Sequence, residues 1–362
     1  MNLGPKPVII IGHGCTSAKN LLPELMDLGI PVLTTWQAID LVDNYHPCYM
    51  GRTGIYGQRA ANKIIYSASD VLVIGARMSI WTTGYGDWAP NALIRFYDVD
   101  EEEMGRFPLA LHHKMEARRA VSELASMRPP EIYAWREQCD AWRKEFPWLE
   151  PMHISNDSIN SYDFAASLQE HLREDEIVVT DAGSACVAPF QVMRFKPPQR
   201  LMTSGGLGEM GCALPAAIGA SIASDKRVLC FVGDGAMMLN LSCLETIAHR
   251  NLPVKIFVFA NDGYAMIRGT QKNTLEGRYV AVNEATGVSC PDFGRIAEAF
   301  KIQSDTIWKP RHMENVFRNI NHDGPYIAEI MLDPDQVYGP KLQPVRNEDG
   351  TIGNAVFSEM SP

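Results

Sequence analysis

Short, mostly apolar runs alternate along this chain with stretches of helical period. In the first half the runs are Pro7–Ile11, Pro31–Thr35, Val71–Gly75 and Ile94–Asp100. A run without polar alternation suits a strand buried on both faces of a parallel sheet. Leu21–Leu28 and Arg59–Ala68, between these runs, read as helices. The second half repeats the pattern with Glu176–Asp181, Arg227–Val232 and Val254–Ala260. Strand and helix in turn predict βαβ units. The expected architecture is therefore α/β, with two doubly wound parallel-sheet domains.

The character changes between residues 127 and 160. Pro129-Pro130, then Trp135, Trp142 and Trp148 amid charges, read as a helix and a connection. The boundary is expected near residue 150, giving a domain over 1–150 and a second over 151–362. The end of the second, from about Asp333, is rich in Pro, Asp, Gly and Asn and reads as an irregular tail.

Three apolar runs of the second half end in small, turn-forming residues: Ala182-Gly183-Ser184, Gly233-Asp234-Gly235 and Asn261-Asp262-Gly263. Ligands of open α/β sheets bind at the carboxyl ends of strands. Asp234 and Asn261 stand 27 positions apart (261 − 234), so one intervening helix and strand can bring them side by side. Magnesium takes oxygen ligands in near-octahedral geometry and shares them with phosphates and water. Asp234 offers a carboxylate, Asn261 an amide oxygen, and the Asp262-Gly263 turn a backbone carbonyl. Gly233 and Gly235 let phosphates approach the backbone. Such sequences also make ordinary turns. What sets this pair apart is the motif before it, Thr203-Ser204-Gly205-Gly206-Leu207-Gly208-Glu209-Met210-Gly211, followed by Leu214–Ala220.

Taken together, these motifs resemble the thiamine-diphosphate (ThDP) dependent decarboxylases and carboligases, and within them the acetolactate synthase type. The likeness extends into the first half through Gly12-His13-Gly14, Gly54–Arg59, Gly75-Ala76-Arg77 and Asp98-Val99-Asp100. It implies that 1–150 is the family's central domain and 151–362 its diphosphate-binding (PP) domain. It implies magnesium on the side chains of Asp234 and Asn261 and the carbonyl of Gly263. Gly183, Ser184 and Ala185 would meet the diphosphate, as would Gly233, Gly235 and Ala236. Tyr264, Ala265 and Met266 would flank the cofactor. Met210 would wedge beneath it and bend it into a V, while the Gly208 carbonyl and Met210 N–H bond the aminopyrimidine. For Met210 core packing is the plain alternative.

The resemblance implies decarboxylation of a 2-oxo acid, for which pyruvate is the first choice, and transfer of the activated aldehyde to a carbonyl acceptor. A simple 2-oxo acid decarboxylase and a non-catalytic ThDP-binding scaffold are the alternatives. The glutamate that starts the family's cycle belongs to a pyrimidine-binding (PYR) domain. Met1 here lies only a few residues before the first strand, and Glu209 does not map onto that glutamate. A PYR domain is thus expected on a partner subunit, or removed from this chain, with a dimer or tetramer of the assembled unit. Where acetolactate synthases carry a tryptophan nine positions beyond the asparagine, this chain has Thr270 (261 + 9), which leaves room for a larger acceptor. The family also includes FAD binders, but the first-half motifs serve the fold's turns equally well and do not favour FAD.

The net charge of −10, from 33 basic and 43 acidic residues, speaks against a nucleic-acid or anionic-membrane partner. It does not exclude an anionic ligand held by backbone N–H groups. The eight cysteines form no C-x-x-C pair and read as reduced, packed thiols. No apolar run reaches membrane-spanning length and no signal peptide opens the chain. The expectation is a cytoplasmic protein.

Overall fold

The apolar runs become the central strands of two separate sheets. The computed structural model describes residues 3–343, 345–346, 352–353 and 356–361. The chain divides into one unit of Met1–Trp148, Arg194–Pro197 and Gly339–Pro362, and another of Leu149–Met193 and Pro198–Tyr338.

In the first unit, β1 (Pro7–Ile11), β2 (Val32–Thr34), β3 (Tyr49–Arg52), β4 (Asp70–Ile74), β5 (Leu93–Asp98) and β6 (Leu111–Lys114) form one sheet. Its order is β3-β2-β1-β4-β5-β6 and every pairing is parallel. All residues of β1 and β4 are buried, which is why neither shows polar alternation. The fourth run was expected to continue to Asp100, but the strand ends at Asp98. Asp100 instead caps the helix Glu101–Gly105, accepting from the N–H groups of Glu102 and Glu103 at 3.0 and 3.1 Å.

The tail also departs from expectation. Gly339–Pro362 belongs with the first unit, not the second. Leu342, Phe357 and Met360 are buried in the first unit's core, and the Arg59 guanidinium donates to the Met360 carbonyl. Burial of these three side chains holds the segment there. They are too widely spaced among polar residues to read as a core element. The tail also contains a short antiparallel pair, Val345–Arg346 with Ile352–Gly353.

The second unit's sheet contains β7 (Ile177–Thr180), β8 (Arg200–Thr203), β9 (Val228–Gly233), β10 (Val254–Ala260), β11 (Gln303–Ile307) and β12 (Tyr326–Met331). The order is β11-β12-β10-β9-β7-β8, again parallel throughout. Successive side chains of a strand point to opposite faces. Phe231, Phe257 and Phe259 accordingly gather with Phe164 in an aromatic layer, the Phe164 and Phe257 rings 5.4 Å apart. Cys230, Val232, Ile256 and Val258 pack on the other face against the helix Ala213–Ser224. The strand order reverses between β7 and β9. A crevice opens at the carboxyl end of such a switch point, where open α/β sheets bind ligands. Both units are doubly wound α/β sheets. Among the described residues no helix is long and apolar enough to cross a membrane.

The opposite end of this sheet is closed by charge. Arg227 and Glu176, 2% and 1% exposed, form a buried ion pair. Arg227 also donates to the carbonyls of His171 and Ile320 and to Asn321. Removing one partner of a buried pair leaves the other uncompensated, at a cost of about 3–5 kcal/mol. Arg227→Ala should therefore lower stability by about that amount, measured by chemical denaturation followed by circular dichroism. A loss below about 1 kcal/mol, the level of an exposed pair, would show that the pair does not close the sheet.

Candidate cofactor and metal site

A cavity of about 240 Å³ lies at the carboxyl ends of β7, β9 and β10. Asp234 stands where β9 ends and Asn261 where β10 ends, placed level by the pairing of Phe259 with Gly233. Asp234 is 2% exposed, and its Oδ2 accepts from the N–H groups of Asn261 and Gly263 at 2.9 and 3.0 Å. Its Oδ1 accepts from Gly235 N–H at 2.8 Å. Burial pushes the Asp234 carboxyl above the usual carboxylate range, and the charge of Asp262 adds to this, against the pull of the three N–H groups. A cation beside it would favour the ionised form.

Asn261 is also 2% exposed. Its amide nitrogen donates to Ser184 Oγ at 3.1 Å, whereas its Oδ1 is buried with no hydrogen-bond partner. Leaving a buried acceptor unsatisfied costs about 1–3 kcal/mol, so this atom calls for a ligand. Gly263 follows with φ +99°, a conformation that costs glycine little. A Cβ there would lie 2.6 Å from the Val282 carbonyl. The donors on offer are a carboxylate, an amide oxygen and a backbone carbonyl, all hard oxygens. Among the described residues no cluster of three or more His, Cys, Asp or Glu could hold a metal ion unaided. Such a set fits magnesium that takes its remaining ligands from phosphate and water.

The rest of the wall suits the anion. Gly183 and Ser184 line the cavity at the start of the wholly buried helix Ser184–Val192. The N–H groups of a helix N-terminus favour phosphate. Gly233, Gly235 and Ala236 come from the β9 end, and Tyr264, Ala265 and Met266 from the start of the helix Ala265–Thr274. Gly208 and half-buried Met210 enter from the loop after β8.

Two family models match this chain. The thiamine pyrophosphate enzyme C-terminal TPP binding domain covers residues 181–330, and the thiamine pyrophosphate enzyme central domain covers 2–124. The chain belongs to the thiamine pyrophosphate enzymes. The acetolactate synthase isozyme 2 large subunit of Escherichia coli (strain K12) is 30% identical over 346 residues, covering 94% of this chain and 62% of that protein. The isozyme 1 large subunit of the same organism is 28% identical, covering 95% and 61%. A probable acetolactate synthase large subunit of Methanococcus aeolicus is 30% identical, covering 91% and 58%. The chain thus spans about three-fifths of the length of the curated relatives it matches.

Of the cofactor and metal residues singled out from the sequence, all but Ala185 reach the cavity wall of this thiamine pyrophosphate enzyme, whereas Glu209 and Thr270 do not. Ala185 is wholly buried inside its helix. Ala182 and Ile267 line the wall and were not singled out. Arg268 was also missed. It is 7% exposed and donates to the carbonyls of Asn261, Asp262 and Pro334 at 2.9, 2.9 and 2.5 Å, fixing the Asn261–Gly263 turn from behind. A helix arginine carries no motif that would reveal this; only the fold brings it beneath the turn.

Asn261→Ala separates a ligating role from a structural one. Without ligand the side chain contributes only the bond to Ser184 and a weak contact at 3.4 Å with the Tyr338 hydroxyl. The ligand-free protein should lose about 1 kcal/mol of stability. Magnesium-dependent diphosphate affinity should fall about tenfold or more, the equivalent of about 1.4 kcal/mol. Paired thermal melts and calorimetric titrations read both quantities. Unchanged diphosphate affinity would remove Asn261 from the metal site.

Proposed function

We propose that this chain holds ThDP and magnesium for the decarboxylation of a 2-oxo acid, pyruvate for choice, and for carboligation of the activated aldehyde to a carbonyl acceptor. The observation that carries the proposal is the unsatisfied Oδ1 of Asn261, buried beside the Asp234 carboxylate in a cavity built for an anion. The acetolactate synthase names of its relatives support the carboligase reading.

When bound, ThDP supplies a carbon nucleophile and an electron sink. The chain's own residues prepare that chemistry. Asp234, Asn261 and the Gly263 carbonyl hold the magnesium. The backbone around Gly183 and Gly235 holds the diphosphate. Met210 supports the cofactor's bend, and the Gly208 carbonyl and Met210 N–H orient the aminopyrimidine. Thr270, one turn beyond Met266, bonds back to the Met266 carbonyl at 3.1 Å and is exposed outside the cavity wall, so its expected part in acceptor selection gains no support from the cavity.

Among the described residues the cavity wall carries a single carboxylate, Asp234; Glu209 is exposed and outside the wall. We take the carboxylate for the pyrimidine ring to come from a PYR-type domain outside these 362 residues, on a partner subunit or on a further part of the same protein. Leu207, Leu239, Ile267 and Met238 support this reading, being 84%, 57%, 47% and 41% exposed on or beside the segments that form the cavity. Exposed apolar side chains gathered in this way mark a partner site.

With ThDP, magnesium and pyruvate, the chain alone should turn over near background. Missing general acid–base catalysis costs roughly 10²–10⁴-fold. A PYR-domain protein should restore turnover, and product analysis should find a carbon–carbon ligation product. Aldehyde alone would make the enzyme a simple decarboxylase. Full turnover by the isolated chain would overturn the need for a partner.

A further inference from the structure

We infer that Asp181 and Asn240 are positioning residues that fix the Met210 loop, a role that rests on the ThDP reading of this site. Asp181 follows β7 directly and is fully buried, 0% exposed. Its own N–H donates to the Phe231 carbonyl at 2.9 Å, which ties it to β9. Its carboxylate accepts three backbone N–H bonds from three separate places. Oδ1 takes Ala182 at 2.9 Å and Gly211 at 3.0 Å, and Oδ2 takes Ala213 at 2.9 Å.

Each bond has a distinct consequence. Ala182 opens the loop that leads to the helix at Ser184. Ala213 is the first residue of the helix Ala213–Ser224, whose own cap residue, Cys212, makes no side-chain cap bond. Asp181 therefore caps that helix from the end of β7, and its charge complements the helix dipole. Gly211 N–H belongs to the peptide that begins at the Met210 carbonyl, so this bond fixes the plane of the Met210–Gly211 peptide.

The next peptide is held from the other side. Asn240 Nδ2 donates to the Gly211 carbonyl at 2.6 Å. Asn240 ends the short helical segment that begins at Asp234. Gly211 has φ +87°, and a Cβ on it would lie 2.9 Å from Asn240 Nδ2 and 3.0 Å from Leu239 Cβ. Two consecutive peptides after Met210 are thus pinned, one by the β7 end and one by the segment that carries the metal ligand. Nothing comparable secures the exposed side of the loop, where Leu207 and Glu209 face solvent. The two side chains therefore couple the diphosphate grip to the placement of Met210. Neither lines the cavity, and neither is predicted to touch the cofactor.

The test uses the full chain and two probes, magnesium with inorganic diphosphate and magnesium with ThDP, titrated by calorimetry. Asp181→Asn turns an acceptor into a donor facing backbone N–H groups. Asn240→Asp turns a donor into an acceptor facing a carbonyl, and at a half-buried site it keeps the test alive where Asp181→Asn fails to fold. Wild type should bind ThDP more tightly than inorganic diphosphate. Each variant should keep inorganic diphosphate affinity within about threefold and lose at least about tenfold in ThDP affinity, as expected for losing one or two of these hydrogen bonds. Hydrogen exchange should rise in residues 204–213 but not in 228–237. Equal losses for both probes, or no loss for either, would overturn the positioning role. So would a wild type that does not distinguish the two probes. A wild type that binds neither would overturn the ThDP reading itself, which sets that failure apart.

Discussion

The buried carboxylate of Asp234 is the constraint on which the site depends. It accepts backbone N–H bonds from its own turn and from Asn261 and Gly263, and so fastens the end of β9 to the end of β10. Charge-assisted bonds of this kind contribute roughly 1.5–3 kcal/mol each, enough to hold the Asn261–Gly263 turn in one conformation. Arg268 secures the same turn through its carbonyls. With both sides of the turn fixed, the Asn261 amide can bond Ser184 through nitrogen while its oxygen stays unsatisfied. The vacancy in the hydrogen-bond pattern is thus a product of the packing around it. A preorganised ligand set need not be ordered at the moment of binding.

An acidic chain that holds a diphosphate must supply positive potential locally. Among the described residues no lysine or arginine lines the cavity. The potential comes from backbone N–H groups, chiefly those at the start of the buried helix Ser184–Val192; a divalent cation on the oxygen donors would add to it. Such a cation and the diphosphate would neutralise each other inside a protein whose net charge is −10. Association with the anion owes little to long-range attraction and much to this short-range cradle.

The parallel sheets were legible because their central strands are buried on both faces, so β1 and β9 read as unbroken apolar runs and β4 and β10 as runs with one charged residue each. The edge strands were not. Leu111–Lys114 and Gln303–Ile307 are polar and partly exposed, and pair on one side only. Arg200–Thr203 fails for the same reason. Asp234, Asn261 and Gly263 were readable because glycine and oxygen donors stand at strand ends with fixed spacing. Asp181 and Asn240 were not, because they act on backbone groups remote in sequence, by 32 positions for Asp181 and Ala213 and 29 for Asn240 and Gly211; Arg268 was not, because a helix arginine that bonds back to the turn before it carries no motif. The tail was misplaced because only Leu342, Phe357 and Met360 carry its burial.

The most direct measurement is calorimetric titration of the full chain with ThDP, in the presence of magnesium and again in its absence with a chelator. If Asp234, Asn261 and the Gly263 carbonyl form the metal bridge to the diphosphate, ThDP binds in magnesium and its affinity falls about a hundredfold or more without it, a change of about 2.7 kcal/mol. Equal affinity with and without the metal would contradict the central claim.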